Sequence, residues 1–123
     1  MEKHGNVLIV DDEPGMCWIL ETALTDKGYQ ATAVDTAAEA ITATENNRYD
    51  VVFIDAKLPD ANGLQVAQQF SNRYPKMKLI IMSGFYSSKE DLKDTEVDYE
   101  KVAFFLGKPF DFQEIYQMLS ELI

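Results

Sequence analysis

Four runs in this chain are apolar at every position, and each is too short for a helix of the usual length. They are Val7-Leu8-Ile9-Val10, Val51-Val52-Phe53-Ile54, Leu79-Ile80-Ile81-Met82 and Val102 to Leu106. An amphipathic strand would alternate. A run without alternation fits a strand buried on both faces, and such strands belong to parallel sheets covered by helices on each side. A fifth segment, Tyr29 to Val34, mixes apolar and small polar residues and reads as a peripheral strand.

The segments between the runs carry helical spacing. Met16, Ile19, Leu20, Ala23 and Leu24 line one face of a helix that has Pro14 in its first turn and ends at Gly28. Thr36-Ala37-Ala38-Glu39 resembles a capping box opening a second helix, with Ala40 and Ile41 inward. Gly63 precedes a third, with Leu64, Ala67 and Phe70 inward. Asp111-Phe112-Gln113-Glu114 opens a last one, with Ile115, Leu119 and Leu122 inward. Ser87 to Val97 is expected to be helical as well, although only Leu92 and Val97 are clearly apolar there. Strand and helix thus alternate five times. The expectation is an α/β fold, a doubly wound five-stranded parallel sheet of order 2-1-3-4-5; a closed eight-fold barrel needs about twice the length. The 123 residues leave room for a single domain, 1–123.

Composition narrows the partners. The net charge of −10 argues against nucleic acid or an anionic membrane as a direct ligand, since both are bound through Lys and Arg. The lone Cys17 makes no intrachain disulfide and reads as a helix residue without redox duty. No apolar run approaches a membrane span and the first residues do not read as a signal peptide, so the expected setting is cytoplasmic. His4 reads as a solvated end residue, and Met77 and Met82 as packing around the fourth strand.

In sheets of this type, ligands bind beyond the carboxyl ends of the strands, at the switch in strand order. Those ends carry Asp11-Asp12, Asp55, Ser83-Gly84 and Lys108-Pro109. Three carboxylates within a few ångströms repel one another and call for a cation. Mg2+ suits an all-oxygen set, and Lys108 supplies further positive charge. The pair would neutralise a phosphoryl group in transfer, with Ser83 donating to one of its oxygens. With no thiol or Gly-rich phosphate cradle at these ends, the candidate nucleophile is a carboxylate that forms an acyl phosphate.

Together, Val7-Leu8-Ile9-Val10-Asp11-Asp12-Glu13, Asp55-Ala56-Lys57-Leu58-Pro59 followed by Gly63, Ser83-Gly84, and Phe105-Leu106-Gly107-Lys108-Pro109-Phe110 resemble the receiver domain of two-component response regulators along essentially the whole chain. The resemblance implies a flavodoxin-like (βα)5 fold and a phosphorylation-dependent switch rather than a turnover enzyme. It implies that Asp55 accepts a phosphoryl group from a phosphohistidine on a sensor histidine kinase or a histidine phosphotransfer protein. It further implies Mg2+ on Asp11, Asp12, Asp55 and the backbone carbonyl of Lys57. Lys108 and Ser83 would meet the phosphoryl group, Phe105 would turn inward, and Pro109 would follow a cis bond. The expected output surface, toward an effector domain, a target protein or a second copy, is the face built by the fourth crossover, the fifth strand and the last helix. Its crossover is unusual: Lys89 to Lys101 holds six acids and three lysines. Lys57 and a bulky Tyr86 are expected to lengthen the lifetime of the acyl phosphate, Tyr86 by obstructing water. Trp18 is expected to report Mg2+ by fluorescence. The alternatives are a pseudo-receiver that binds partners without phosphorylation, and a Mg2+-dependent aspartyl phosphatase, which would need an acid where Lys57 stands.

Overall fold

The computed structural model describes residues 5–122. His4 lies outside them. Among the described residues five parallel strands form one sheet: β1 (Gly5–Val10), β2 (Tyr29–Val34), β3 (Val51–Asp55), β4 (Lys78–Ser83) and β5 (Val102–Gly107). Their order is β2-β1-β3-β4-β5, as the apolar runs imply. The helices are α1 (Pro14–Asp26), α2 (Ala37–Asn46), α3 (Gly63–Arg73) and α4 (Phe112–Leu122).

Alternation of side chains along the central strands produces two core layers. Val7, Ile9, Phe53, Ile80 and Met82 pack with Leu20, Leu24, Ile115 and Leu119 of α1 and α4. Leu8, Val10, Val52, Ile54, Leu79 and Ile81 pack with Ala40, Ala67 and Phe70 of α2 and α3. Every residue of Val7–Val10 is fully buried. That double burial is why these runs show no polar alternation.

Local chemistry sets the helix ends. At α1, Pro14 occupies the first turn and Gly28 takes φ 91° just beyond the last, the left-handed region where glycine pays no Cβ penalty. At α2, the Thr36 side chain accepts from the Glu39 amide at 3.1 Å. Asp60, on the loop after β3, accepts from the amides of Ala37 at 2.8 Å and Ala38 at 3.1 Å. Those two backbone bonds hold the Asp60 carboxyl below its ordinary value. At α4, Asp111 accepts from the Glu114 amide at 2.9 Å.

The fourth crossover departs from expectation. Ser87 to Val97 forms no α-helix; it contains one short 3-10 turn, Lys89–Leu92, and a second, Tyr99–Lys101, follows it before β5. Its two apolar anchors, Leu92 and Val97, are both buried, but they stand five apart, a spacing that does not repeat on one helical face. Short acidic side chains bond the backbone instead. Asp91 accepts from the amides of Ser87 at 2.9 Å and Ser88 at 3.1 Å, and Asp98 accepts from Glu100 at 3.1 Å. Such local bonds compete with the helical ladder. The five strands are therefore joined and followed by four α-helices among the described residues, one fewer than the alternating pattern suggests.

Two glycines make a test of this packing. A Cβ on Gly63 would collide with the carbonyl oxygen of Asp55, whereas one on Gly15 would meet open space. Gly63→Ala should cost about 1–3 kcal/mol through overpacking against backbone, and Gly15→Ala should gain about 0.4–1 kcal/mol, both read by urea unfolding. Asp60 yields a second test. Because its folded pKa is depressed, its contribution is present above about pH 3.8 and is lost as pH falls through the folded value. Asp60→Asn should flatten that acid branch of the stability curve.

Candidate functional site

The strand register brings the chemistry together. Val10 pairs with Ile54, so Asp11 emerges beside Asp55; Asp55 pairs with Met82, so Ser83 follows on the other side. Ser83 pairs with Gly107, and its carbonyl accepts from the Lys108 amide at 2.8 Å. The Lys108-Pro109 bond is cis, as expected for Pro109.

Lys108 is the centre of the arrangement. Its ammonium lies 2.6 Å from Glu13 Oε1, 2.7 Å from Asp55 Oδ2 and 2.8 Å from Asp11 Oδ2. Burial pushes the lysine pKa down, but bonds to Asp11, Asp55 and Glu13 outweigh it, so the net shift is upward and the ammonium stays charged. Asp11 is fully buried, and burial pushes its carboxyl up against the opposing pull of Lys108 and of the Glu13 amide, which donates to Oδ1 at 3.0 Å. Asp11 Oδ2 forms the ion pair with Lys108 but has no hydrogen-bond geometry to any donor. Asp55 Oδ1 accepts from the Lys57 amide at 3.1 Å.

Oxygens of Asp11, Asp12 and Asp55 lie within 4.8 Å of one another. With Glu13 the rim carries four carboxylates, three of which, Asp11, Glu13 and Asp55, pair with the Lys108 ammonium. A buried, incompletely bonded carboxylate oxygen facing an all-oxygen donor set fits a hard divalent ion such as Mg2+. Asp12 is exposed, as a ligand that leaves part of an ion's shell to water would be. Lys57 and Ser83 both line the cleft around Asp55. Ser83 is buried, and its Oγ accepts from the amides of Phe85 at 2.9 Å and Tyr86 at 3.0 Å. Its proton remains available to donate.

Phe105, by contrast, does not line the cleft; it packs, partly buried, on the layer that covers α2 and α3. The assignment of the obstructing ring to Tyr86 needs correction. Tyr86 also packs against that layer, and the ring at the cleft is Phe85, which is 85% exposed and meets Tyr86 edge-on at 5.0 Å. The Ser83 hydroxyl fixes both amides. Glu13 is the residue given no role from sequence that the structure places in contact with Lys108; the signal available was a third consecutive acid after Asp11-Asp12. Cys17 is buried, donates from Sγ to the Asp11 carbonyl at 3.3 Å, and is pushed up to about 11 by burial and by the Asp11 charge, so it stays a thiol. Trp18 stands 62% exposed, edge-on to Phe112 at 5.8 Å.

This fold and rim define a class of signalling module, and comparison with known proteins agrees. Residues 7–120 match the family model described as the response regulator receiver domain. The chain belongs to that family. It is 32% identical over 122 residues to the DNA-binding transcriptional regulator NtrC of Proteus hauseri, which covers 98% of this chain and 25% of that protein. The chain thus spans about a quarter of the length of the curated relatives it matches. The response regulator TrrA of Thermotoga maritima, solved in complex with Mg(2+)-BeF, superposes with a TM-score of 0.79 at 25% identity, covering 99% of this chain and all of that one. A CheY-like receiver domain from Methylobacillus flagellatus gives 0.77 at 32% identity, with 96% and 98% covered. No helix among the described residues is long and apolar enough to cross a membrane.

Removing the central cation tests the electrostatics. Lys108→Met should destabilise the fold by about 3–5 kcal/mol at neutral pH, the usual result of stripping one partner from a buried ion pair. The deficit should shrink in acid. Asp11 titrates above its ordinary value when folded, so its protonation favours the folded state as pH falls. Urea unfolding of both proteins at several pH values measures it.

Proposed function

We propose that Asp55 is the phosphoryl acceptor of a two-component switch. The observation that carries this reading is the position of its carboxylate: lining the cleft, 2.7 Å from the Lys108 ammonium and beside Asp11 and Asp12. In the proposed step an Asp55 oxygen attacks phosphorus, the P–N bond of a phosphohistidine breaks, and its electron pair stays on the imidazole nitrogen. Asp11, Asp12, Asp55 and the Lys57 carbonyl would hold Mg2+, which when bound offsets charge on the phosphoryl oxygens. Lys108 pairs with one of those oxygens, and Ser83 donates to another. Phe105 then follows as a switch residue. The donor would be a sensor histidine kinase or a histidine phosphotransfer protein. The TrrA complex with Mg(2+)-BeF supports the metal assignment by analogy.

Residues 1–123 act in this reading as one receiver domain, cytoplasmic, working on a partner rather than turning over a substrate. The output passes through the face formed by the 84–101 segment, β5 and α4, to an effector domain, a target protein or a second copy of the receiver. The net charge of −10 disfavours direct nucleic-acid contact by this domain.

Acetyl phosphate with Mg2+ should label Asp55 stoichiometrically, with intact mass and peptide mapping as the readout, and Asp55→Asn should abolish the label. No label at all in the wild type would leave a pseudo-receiver; continuous phosphate release at high turnover would mean a phosphatase. The exposed ring at the cleft predicts a further result. Phe85→Ala should speed decay of the acyl phosphate severalfold by admitting water, whereas Tyr86→Ala should leave the decay rate near that of the wild type.

A further inference from the structure

Glu13 is the N-cap residue of α1, yet its side chain makes no capping bond. Ser, Thr, Asp or Asn at that position would turn back onto the helix amides. Glu13 reaches away instead and accepts from Lys108 at 2.6 Å, the shortest of the lysine's three carboxylate contacts. Helix formation does not account for it.

An ammonium has three N–H donors and no acceptor. Here three carboxylate oxygens already lie within 2.8 Å of the nitrogen, and Glu13 and Asp55 take two of its donors, so a phosphoryl oxygen arriving at Asp55 has to compete for a place around it. One partner has to leave. The Asp11 side chain is fully buried and Asp55 is 10% exposed, and each is fixed at the end of a central strand. The Glu13 side chain is 58% exposed. It alone can swing into water without leaving a buried charge behind.

Building on the acceptor reading of Asp55, we infer that Glu13 is a positioning residue for Lys108. It holds one of the ammonium's donors while Asp55 is unphosphorylated and gives it up to the phosphoryl group. Charging of Asp55 therefore releases the Glu13 side chain from the rim. In the unphosphorylated protein the contact keeps Lys108 extended over the cleft, and it also slows phosphoryl transfer because it must be broken first.

The test compares wild type, Glu13→Gln and Glu21→Gln at about 0.15 M salt, where exposed charges are largely screened beyond about 8 Å. Glu21→Gln removes the same charge from α1, away from the cleft. With acetyl phosphate and saturating Mg2+, Glu13→Gln should label Asp55 about two- to fivefold faster, the weight of a half-exposed ion pair, and Glu21→Gln should match the wild type. The second readout is the side-chain 15N resonance of Lys108. It should differ between wild type and Glu13→Gln in the free proteins and coincide once beryllofluoride and Mg2+ are bound. A Glu13→Gln rate no faster than wild type, an equal acceleration in Glu21→Gln, or a resonance difference that persists with beryllofluoride overturns the inference while leaving Asp55 as acceptor. Absence of label in the wild type removes the acceptor reading and this inference together.

Discussion

One ammonium holds the carboxylate rim of this protein together. Asp11 is wholly out of water, and its charge is sustained by Lys108 and a backbone amide. Asp55 and Glu13 lean on the same lysine. Lys108, even with Lys57 in the lining of the cleft, does not balance four carboxylates, so the rim remains electrostatically incomplete. That incompleteness is what the proposed function relies on: it suits a divalent ion, and a group whose oxygens the ion and the lysine would share. A better balanced rim would favour a static ion pair.

The sheet supplies the rigidity that such crowding demands. Each reactive group leaves a strand that is hydrogen-bonded to its neighbours in register, so the positions of Asp11, Asp55, Ser83 and Lys108 follow from backbone pairing rather than from side-chain preference. Gly63 tightens the same region from behind: its amide bonds the Ala56 carbonyl at 2.9 Å, and only the lack of a Cβ lets it approach the Asp55 carbonyl. Like charges are held together by apolar strands that have nowhere else to go.

This logic explains what could be read from residues alone. Strands buried on both faces have to be apolar throughout, so Val7–Val10 and Val51–Ile54 declare themselves, and the sheet topology then gathers Asp11, Asp12, Asp55, Ser83 and Lys108 without further assumption. The 87–97 segment was not legible in this way, because its structure rests on acids that bond their own backbone, and two apolar anchors five apart specify no period. Glu13 escaped because a third acid in a row looks like a solvated helix end until the lysine, 95 positions away, is seen to reach it. The roles of Phe85 and Tyr86 turn on which of two adjacent aromatics lines the cleft and which packs on the core, and two neighbouring rings in a sequence do not say which.

Ser83 joins the rim to the segment that lacks a helix. Its oxygen accepts from two successive amides, those of Phe85 and Tyr86, while its proton stays uncommitted. A hydroxyl can donate once and accept twice. It can therefore bond an oxygen on Asp55 without surrendering the loop, and any movement of the hydroxyl toward the cleft carries the two amides with it. Beyond them the chain is held by buried Leu92 and Val97 and by cross-links to α3, from Asn62 to Glu96 at 3.3 Å and from the Asp98 amide to Gln68 at 2.6 Å. Short 3-10 turns tied by exposed bonds open at lower cost than a packed α-helix. The 3-10 turns after β4 thus place a stretch of backbone tied largely by exposed bonds next to the Ser83 hydroxyl, the group that in the proposed reading would bond a phosphoryl oxygen on Asp55.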